Sequence, residues 1–214
     1  MMPDDSLRVA VLDAARGMNL HGINRGTSGN VSVRREAGML ITPSARAYDR
    51  LRPKDLVAMQ LDGSGVDPAG ARPSTEWRLH AAVYAARPDV GAVVHAHPMF
   101  ATALACLRRG IPAFHYMVAV AGGSEITCAE YATIGTADLA RAAVQALGPR
   151  NACLLANHGM VACAGTAADA LLLAIEVEAL AGQYWHALQA GTPVLLDEAE
   201  MARVREAFRD YRGG

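Results

Sequence analysis

Apolar positions recur along this chain with two different periods. Over residues 5–20, Leu7, Val9, Ala10, Leu12, Ala14 and Met18 fall near the helical repeat, with Asp4 or Asp5 placed to cap the segment. Gly22 and Gly26 end that helix and open a loop. Val31-Ser32-Val33 and Met39-Leu40-Ile41 are short β-rich runs flanking Glu36-Ala37-Gly38, the pattern of a hairpin. Leu56 to Leu61 reads as a further strand closed by Asp62-Gly63, followed by an exposed Gly/Pro-rich loop over 64–72. Ser74 is placed to cap a helix from Glu76 to Ala86, which stops before Pro88. A strand through Gly91-Ala92-Val93-Val94 follows, then a helix from about Pro98 to Arg108, broken by Gly110 and Pro112. Residues 113–135 read as mixed short segments around Gly122-Gly123. Thr136 opens a helix to Leu147, a strand covers 152–156, Thr166 opens a long apolar helix to about Ala190, and Asp197 opens a last helix to Tyr211. Helices and strands intermingle, which predicts one α/β domain over residues 1–214 with helices on both faces of a sheet. Periodicity leaves open whether the sheet is parallel.

Composition narrows the picture. A length of 214 residues suits one domain, and 52% hydrophobic residues supply ample core. Only 5% are aromatic, so core volume comes from Leu, Val, Ile and Met. A net charge of -1 offers no electrostatic footprint for nucleic acid. No run of 18 apolar residues marks a membrane span, and the acidic start Met1-Met2-Pro3-Asp4-Asp5-Ser6 does not read as a signal peptide. Cys106, Cys128, Cys153 and Cys163 show no CxxC spacing, which fits a reduced, cytoplasmic setting.

Candidate chemistry sits at strand ends. His95 and His97 are two residues apart at the end of an apolar strand, so their imidazoles point to one side. His158, in Leu154-Leu155-Ala156-Asn157-His158-Gly159, also follows an apolar run. Three histidines would leave a fourth coordination position open, as catalytic zinc sites do. The plain alternative is a set of surface or hydrogen-bonded histidines. Three hydroxyl-rich loops, Gly26-Thr27-Ser28-Gly29-Asn30, Thr42-Pro43-Ser44 and Pro73-Ser74-Thr75, have the donors of a shared oxyanion site, and the third begins a helix. Glu76, in that helix's first turn, either answers the helix dipole or is a carboxylate beside phosphate and metal. His80, one turn on, reads as packed or hydrogen-bonded rather than as a ligand.

These motifs occur in one order with Trp77, His115-Tyr116-Met117 and Ala121-Gly122-Gly123. Together they resemble the zinc-dependent class II aldolases of the L-fuculose-1-phosphate aldolase type, over nearly the whole chain. The resemblance implies a three-layer α/β/α domain with a mixed central sheet, and a homotetramer with active sites between subunits. It implies one zinc per subunit held by His95, His97 and His158, with Glu76 a metal neighbour and the base. It assigns the phosphate to Thr27, Gly29, Asn30, Ser44, Ser74 and Thr75. Tyr116 would donate a proton from the neighbouring subunit, and Tyr211 would cover the site. The implied reaction is cleavage of a ketose 1-phosphate to dihydroxyacetone phosphate and an aldehyde through an enediolate.

Two departures stand out. Ala45 follows Ser44 where the family pattern has Gly, which costs stability if that position needs a positive φ. The tail ends at Arg212-Gly213-Gly214, shorter than in some relatives. The same fold serves sugar-phosphate 4-epimerases, methylthioribulose-phosphate dehydratases and sugar-acid-phosphate decarboxylases, and the adducin head as a binding module. The epimerase pattern has Asp at the position of Glu76, and the adducin head lacks the zinc ligands.

Overall fold

The computed structural model describes residues 4–36, 38–67 and 70–213, with residues 210–213 described by backbone alone. Among the described residues, six α-helices flank a mixed seven-stranded sheet. In chain order these are α1 (Asp4–Leu20), β1 (Asn30–Arg35), β2 (Gly38–Ile41), β3 (Val57–Met59), α2 (Trp77–Ala86), β4 (Ala92–Ala96), α3 (Met99–Cys106), β5 (Cys128–Ala129), α4 (Ala137–Leu147), β6 (Ala152–Leu155), β7 (Gly159–Ala164), α5 (Ala167–Ala190) and α6 (Glu198–Gly213). The strand order is β3-β2-β1-β4-β7-β6-β5. Every pairing is antiparallel except β5 with β6.

Alternation along the strands sorts the core into two layers. Val31, Val33, Val94, Ala96, Leu154 and Met160 pack with residues of α1, α3 and α5. Met39, Ile41, Val93, Leu155, Val161 and Cys163 pack on the other face against α2 and α4. The helix starts follow local chemistry. The hydroxyl of Thr136 accepts from the Leu139 amide, and that of Thr166 from the Asp169 amide, as expected of N-caps.

Three expectations change. The apolar segment after His158 is a strand, β7, paired with β4 over Met160–Ala164 and with β6 over Gly159–Ala162. His158, expected just past a strand end, lies in the turn between β6 and β7. The strand expected from Leu56 is trimmed to Val57–Met59, because a 3-10 turn over Pro53–Asp55 runs into it. Finally, α2 begins at Trp77, with Ser74 accepting from the Glu76 amide just outside it.

Candidate metal centre

At one end of the sheet, the start of β1, the end of β4, the β6–β7 turn and the start of α2 meet. Asn30 on β1 lies directly opposite His95 on β4. His95 shares strand parity with Val93, so it faces α2 rather than the α1/α5 layer. The register of β4 against β7 pairs Ala96 with Met160 and brings the turn bearing His158 beside His97. Asn157 makes this turn by adopting a left-handed conformation with φ 54°, which asparagine tolerates. Its amide bonds the Ala105 carbonyl, tying the turn to α3.

The three imidazoles form a triangle with ring-centre separations of 4.7, 4.8 and 4.9 Å. Glu76 points into it, with Oε2 3.0 Å from His95 Nε2 and Oε1 3.2 Å from His158 Nε2. One donor atom from each of the four residues lies within 4.8 Å of all the others. His95 Nδ1 donates to the Met160 carbonyl at 2.8 Å, which leaves Nε2 with its lone pair facing the cluster.

The residues fit a bound cation. Glu76 Oε1 and His158 Nε2 are buried without a hydrogen-bond partner. Such orphans are costly unless something else satisfies them. Three imidazole nitrogens and a carboxylate oxygen suit a borderline divalent ion. Protonation states agree. Burial, with help from neighbouring histidines, holds His97 down to about 3 and His158 down to about 4. Burial pushes the Glu76 carboxyl up, but His95, His158 and the Asn30 amide outweigh it and bring it to about 2. Neutral imidazoles and an ionised carboxylate are the forms that bind metal.

The hydroxyl-rich loops meet at the same end. Pro43 bridges Pro73, the Ser44 amide donates to the Arg72 carbonyl, and the Ser74 amide donates to the Thr42 carbonyl. Ala45, next in line, has φ 55°, the left-handed region its side chain disfavours. Thr27 and Thr75 are exposed, Ser44 is half-buried, and Ser74 is buried. Gly29 frames the loop with both its backbone groups. Its amide donates to Asn24 Oδ1 at 2.8 Å, and its carbonyl accepts from the Tyr48 hydroxyl. The Asn30 side chain turns inward, with Nδ2 donating to Glu76 Oε2 at 3.1 Å and Oδ1 meeting His80 Nε2. His80 is fully buried and hydrogen-bonded, and burial lowers it to about 3.

Tyr116 opens a 3-10 turn over Tyr116–Ala121, is about half exposed, and has His115 and Phe208 as ring neighbours. The side chain of Tyr211 lies outside the described residues. Sequence reasoning missed Asn24, Tyr48 and the Met160 carbonyl, since none carries a motif. It also missed Ser32 and Tyr84, although polar residues on a buried strand and at i+8 from Glu76 on an apolar helix were a usable signal.

A family model described as the Class II Aldolase and Adducin N-terminal domain matches residues 9–185. The chain belongs to the class II aldolase family. A Rhodospirillum rubrum protein named 5-methylthioribulose-1-phosphate/5-deoxyribulose-1-phosphate aldolase is 52% identical over 206 residues, covering 96% of this chain and 92% of the relative. An Escherichia coli (strain K12) L-fuculose phosphate aldolase is 46% identical over 211 residues, covering 98% and 97%. A solved L-fuculose 1-phosphate aldolase superposes with a TM-score of 0.91 at 39% identity, covering 95% of this chain and 96% of that one. This class II aldolase is thus a lyase of a metal-dependent family, and its Glu76, His95, His97 and His158 cluster can hold a metal. Among the described residues, no helix of this aldolase is long and apolar enough to cross a membrane.

Proposed function

We propose that this protein is a zinc-dependent aldolase that cleaves a ketose 1-phosphate to dihydroxyacetone phosphate and an aldehyde. The observation that carries this reading is the convergence of one buried carboxylate and three imidazoles beside the hydroxyl-bearing loops. His95, His97 and His158 would hold zinc, which when bound supplies Lewis-acid polarisation of the substrate's carbonyl.

The chain's own residues then do the rest. Thr27, Gly29, Asn30, Ser44, Ser74 and Thr75 hold the phosphate between the hydroxyl-bearing loops and the start of α2. The phosphate is remote from the bond that breaks, so these contacts orient the substrate. The aldehyde-side hydroxyl loses its proton, and that oxygen becomes the carbonyl as the carbon–carbon bond breaks and leaves its electron pair on the enediolate. Glu76 takes up one proton from solvent in each turnover and passes it to the enediolate carbon to give dihydroxyacetone phosphate; in the aldol direction it is the base that removes that same proton. Glu76 Oε1 is the suited atom, because Oε2 is already held by Asn30. Tyr116 of a neighbouring subunit exchanges the proton of the aldehyde oxygen, and Tyr211 covers the site. Half-exposed Tyr116 and the exposed apolar side chains of Leu20, Met99 and Leu172 suit a cytoplasmic homotetramer whose subunits cover one another.

The greater identity to the methylthioribulose/deoxyribulose-phosphate relative favours a 5-substituted ribulose 1-phosphate over L-fuculose 1-phosphate. The zinc-loaded protein should be offered both kinds of sugar in an assay coupled to reduction of dihydroxyacetone phosphate. Release from at least one, with the 5-deoxy sugar preferred, is the expected result. Dehydration or epimerisation without dihydroxyacetone phosphate would replace aldol cleavage with a rival chemistry of the same fold.

A further inference from the structure

Behind Glu76, five polar side chains are buried in a single file. Glu76, the residue just before α2, and His80 and Tyr84 on it are spaced four apart. Asn30 and Ser32 lie two apart on the facing side of β1. The two rows interleave as Glu76, Asn30, His80, Ser32, Tyr84. Besides the Asn30 contacts already described, Ser32 Oγ is 2.7 Å from His80 Nδ1 and 2.7 Å from the Tyr84 hydroxyl. All five side chains are buried. The far end is anchored, since the Arg34 guanidinium lies 4.8 Å from the Tyr84 ring centre and bonds the Tyr84 carbonyl at 2.8 Å.

The direction of every bond in this file is determined from one end. An ionised carboxylate only accepts, so Asn30 turns its amide nitrogen to Glu76 and its oxygen to His80. An amide oxygen only accepts, so His80 Nε2 carries the proton and Nδ1 the lone pair. Ser32 must then donate to His80 and accept from Tyr84. Each donor points toward Glu76, an arrangement in which bonds in series polarise and strengthen one another. Only Oε2 of the carboxylate is held this way, and Oε1 is left without a hydrogen bond. The opposite side of β1 carries Val31 and Val33 in the same buried setting. Apolar packing is therefore available here, and the polar file is not needed to fill the space.

We propose that His80, Ser32 and Tyr84 are positioning residues that act through Asn30 to hold the Glu76 carboxylate in one orientation, Oε2 anchored and Oε1 presented to metal and substrate. This rests on the role given to Glu76 above. Fixing one oxygen while freeing the other keeps the proton-transferring atom in a near-attack position.

The test is His80→Leu, with His80→Gln as the conservative variant that keeps a donor and an acceptor, each made alone and with Glu76→Gln. Turnover and KM on 5-deoxyribulose 1-phosphate, zinc affinity by competition with a chromogenic chelator, and melting temperature are read for all. His80→Leu should lower kcat about 10–100-fold with KM changed less than about threefold, and weaken zinc binding about 10-fold. His80→Gln should recover most of both losses. In the Glu76→Gln background His80→Leu should add nothing to either. A lowered melting temperature with unchanged kcat and zinc affinity, or equal losses in both backgrounds, would overturn the proposal. If Glu76→Gln alone keeps full turnover, the base assignment fails instead, and the zinc measurements still decide the positioning role. Should His80→Leu fold poorly, Tyr84→Phe removes one terminal hydroxyl, keeps the ring beneath Arg34, and must shift kcat and zinc affinity in the same direction for the proposal to stand.

Discussion

Gly159 opens β7 directly after His158 and lies tight against β4 and His97. A methyl group built on it would lie 2.5 Å from the Ala96 carbonyl oxygen and 2.6 Å from His97 Cδ2. Ordinary contact begins at 3.4 Å, so Gly159→Ala forces a displacement approaching 1 Å. The first obstacle is the backbone of β4 at Ala96, which is paired with Met160 of β7 and cannot yield by a rotamer change. Overpacking of this kind costs about 1–3 kcal/mol of stability. A shift approaching 1 Å in a catalytic group costs on the order of 10²-fold in turnover. Gly165, just beyond the other end of β7, is the control, because its added methyl meets nothing within 4 Å. Urea unfolding of the metal-free proteins, chelator competition for zinc, and steady-state kinetics should be run on both variants. Gly165→Ala should stay within about 0.5 kcal/mol of the parent. Gly159→Ala should lose stability, zinc affinity and turnover together. A Gly159→Ala protein that binds zinc and turns over like the parent would show that this contact does not hold His97 in place.

Three further outcomes are expected. Ala45→Gly relieves a left-handed conformation at φ 55° and should stabilise the protein by about 0.5–1 kcal/mol after the added chain entropy is counted, read as a raised urea midpoint. Tyr48→Phe removes the hydroxyl that satisfies the buried Gly29 carbonyl and should cost about 1–3 kcal/mol; an unchanged urea midpoint would refute this. His80, His97 and His158 are held below their ordinary 6.5, to about 3, about 3 and about 4, so below pH 6.5 the unfolded chain binds protons that the folded one does not. The metal-free protein should therefore be most stable above pH 6.5 and weaken steadily as pH falls toward 4, in urea midpoints measured along that range.

Much of the site was legible because its parts are local. Two histidines at strand spacing, a third after an apolar run, and an acid at a helix start are visible in short windows, and the structure brings these four together. The cost of Ala45 was also foreseeable once its φ was known, but that sign is set by the loop's contact with Arg72-Pro73-Ser74, not by Ala45 itself. The resemblance assigns Asn30 to the phosphate, and nothing in the sequence points its side chain at other protein groups. In the fold its side chain bonds Glu76 and His80, because it sits on the inward side of β1 by parity.

The sequence by itself determined most of the helices and strands, though not β5 or β7, together with which ends carry histidines, carboxylate and hydroxyls and the class of chemistry those types allow. These follow from hydrophobic period and residue chemistry over a few neighbours. Only the tertiary structure decided the antiparallel order that puts β4 between β1 and β7, the hairpin that places His158 beside His97, and the file linking Tyr84 to Glu76. Ser32 and Tyr84 are 52 residues apart in the chain. A buried polar atom finds its partner on whichever element covers its face, and that is set by strand register and helix packing across the whole fold, which short-range periodicity does not encode.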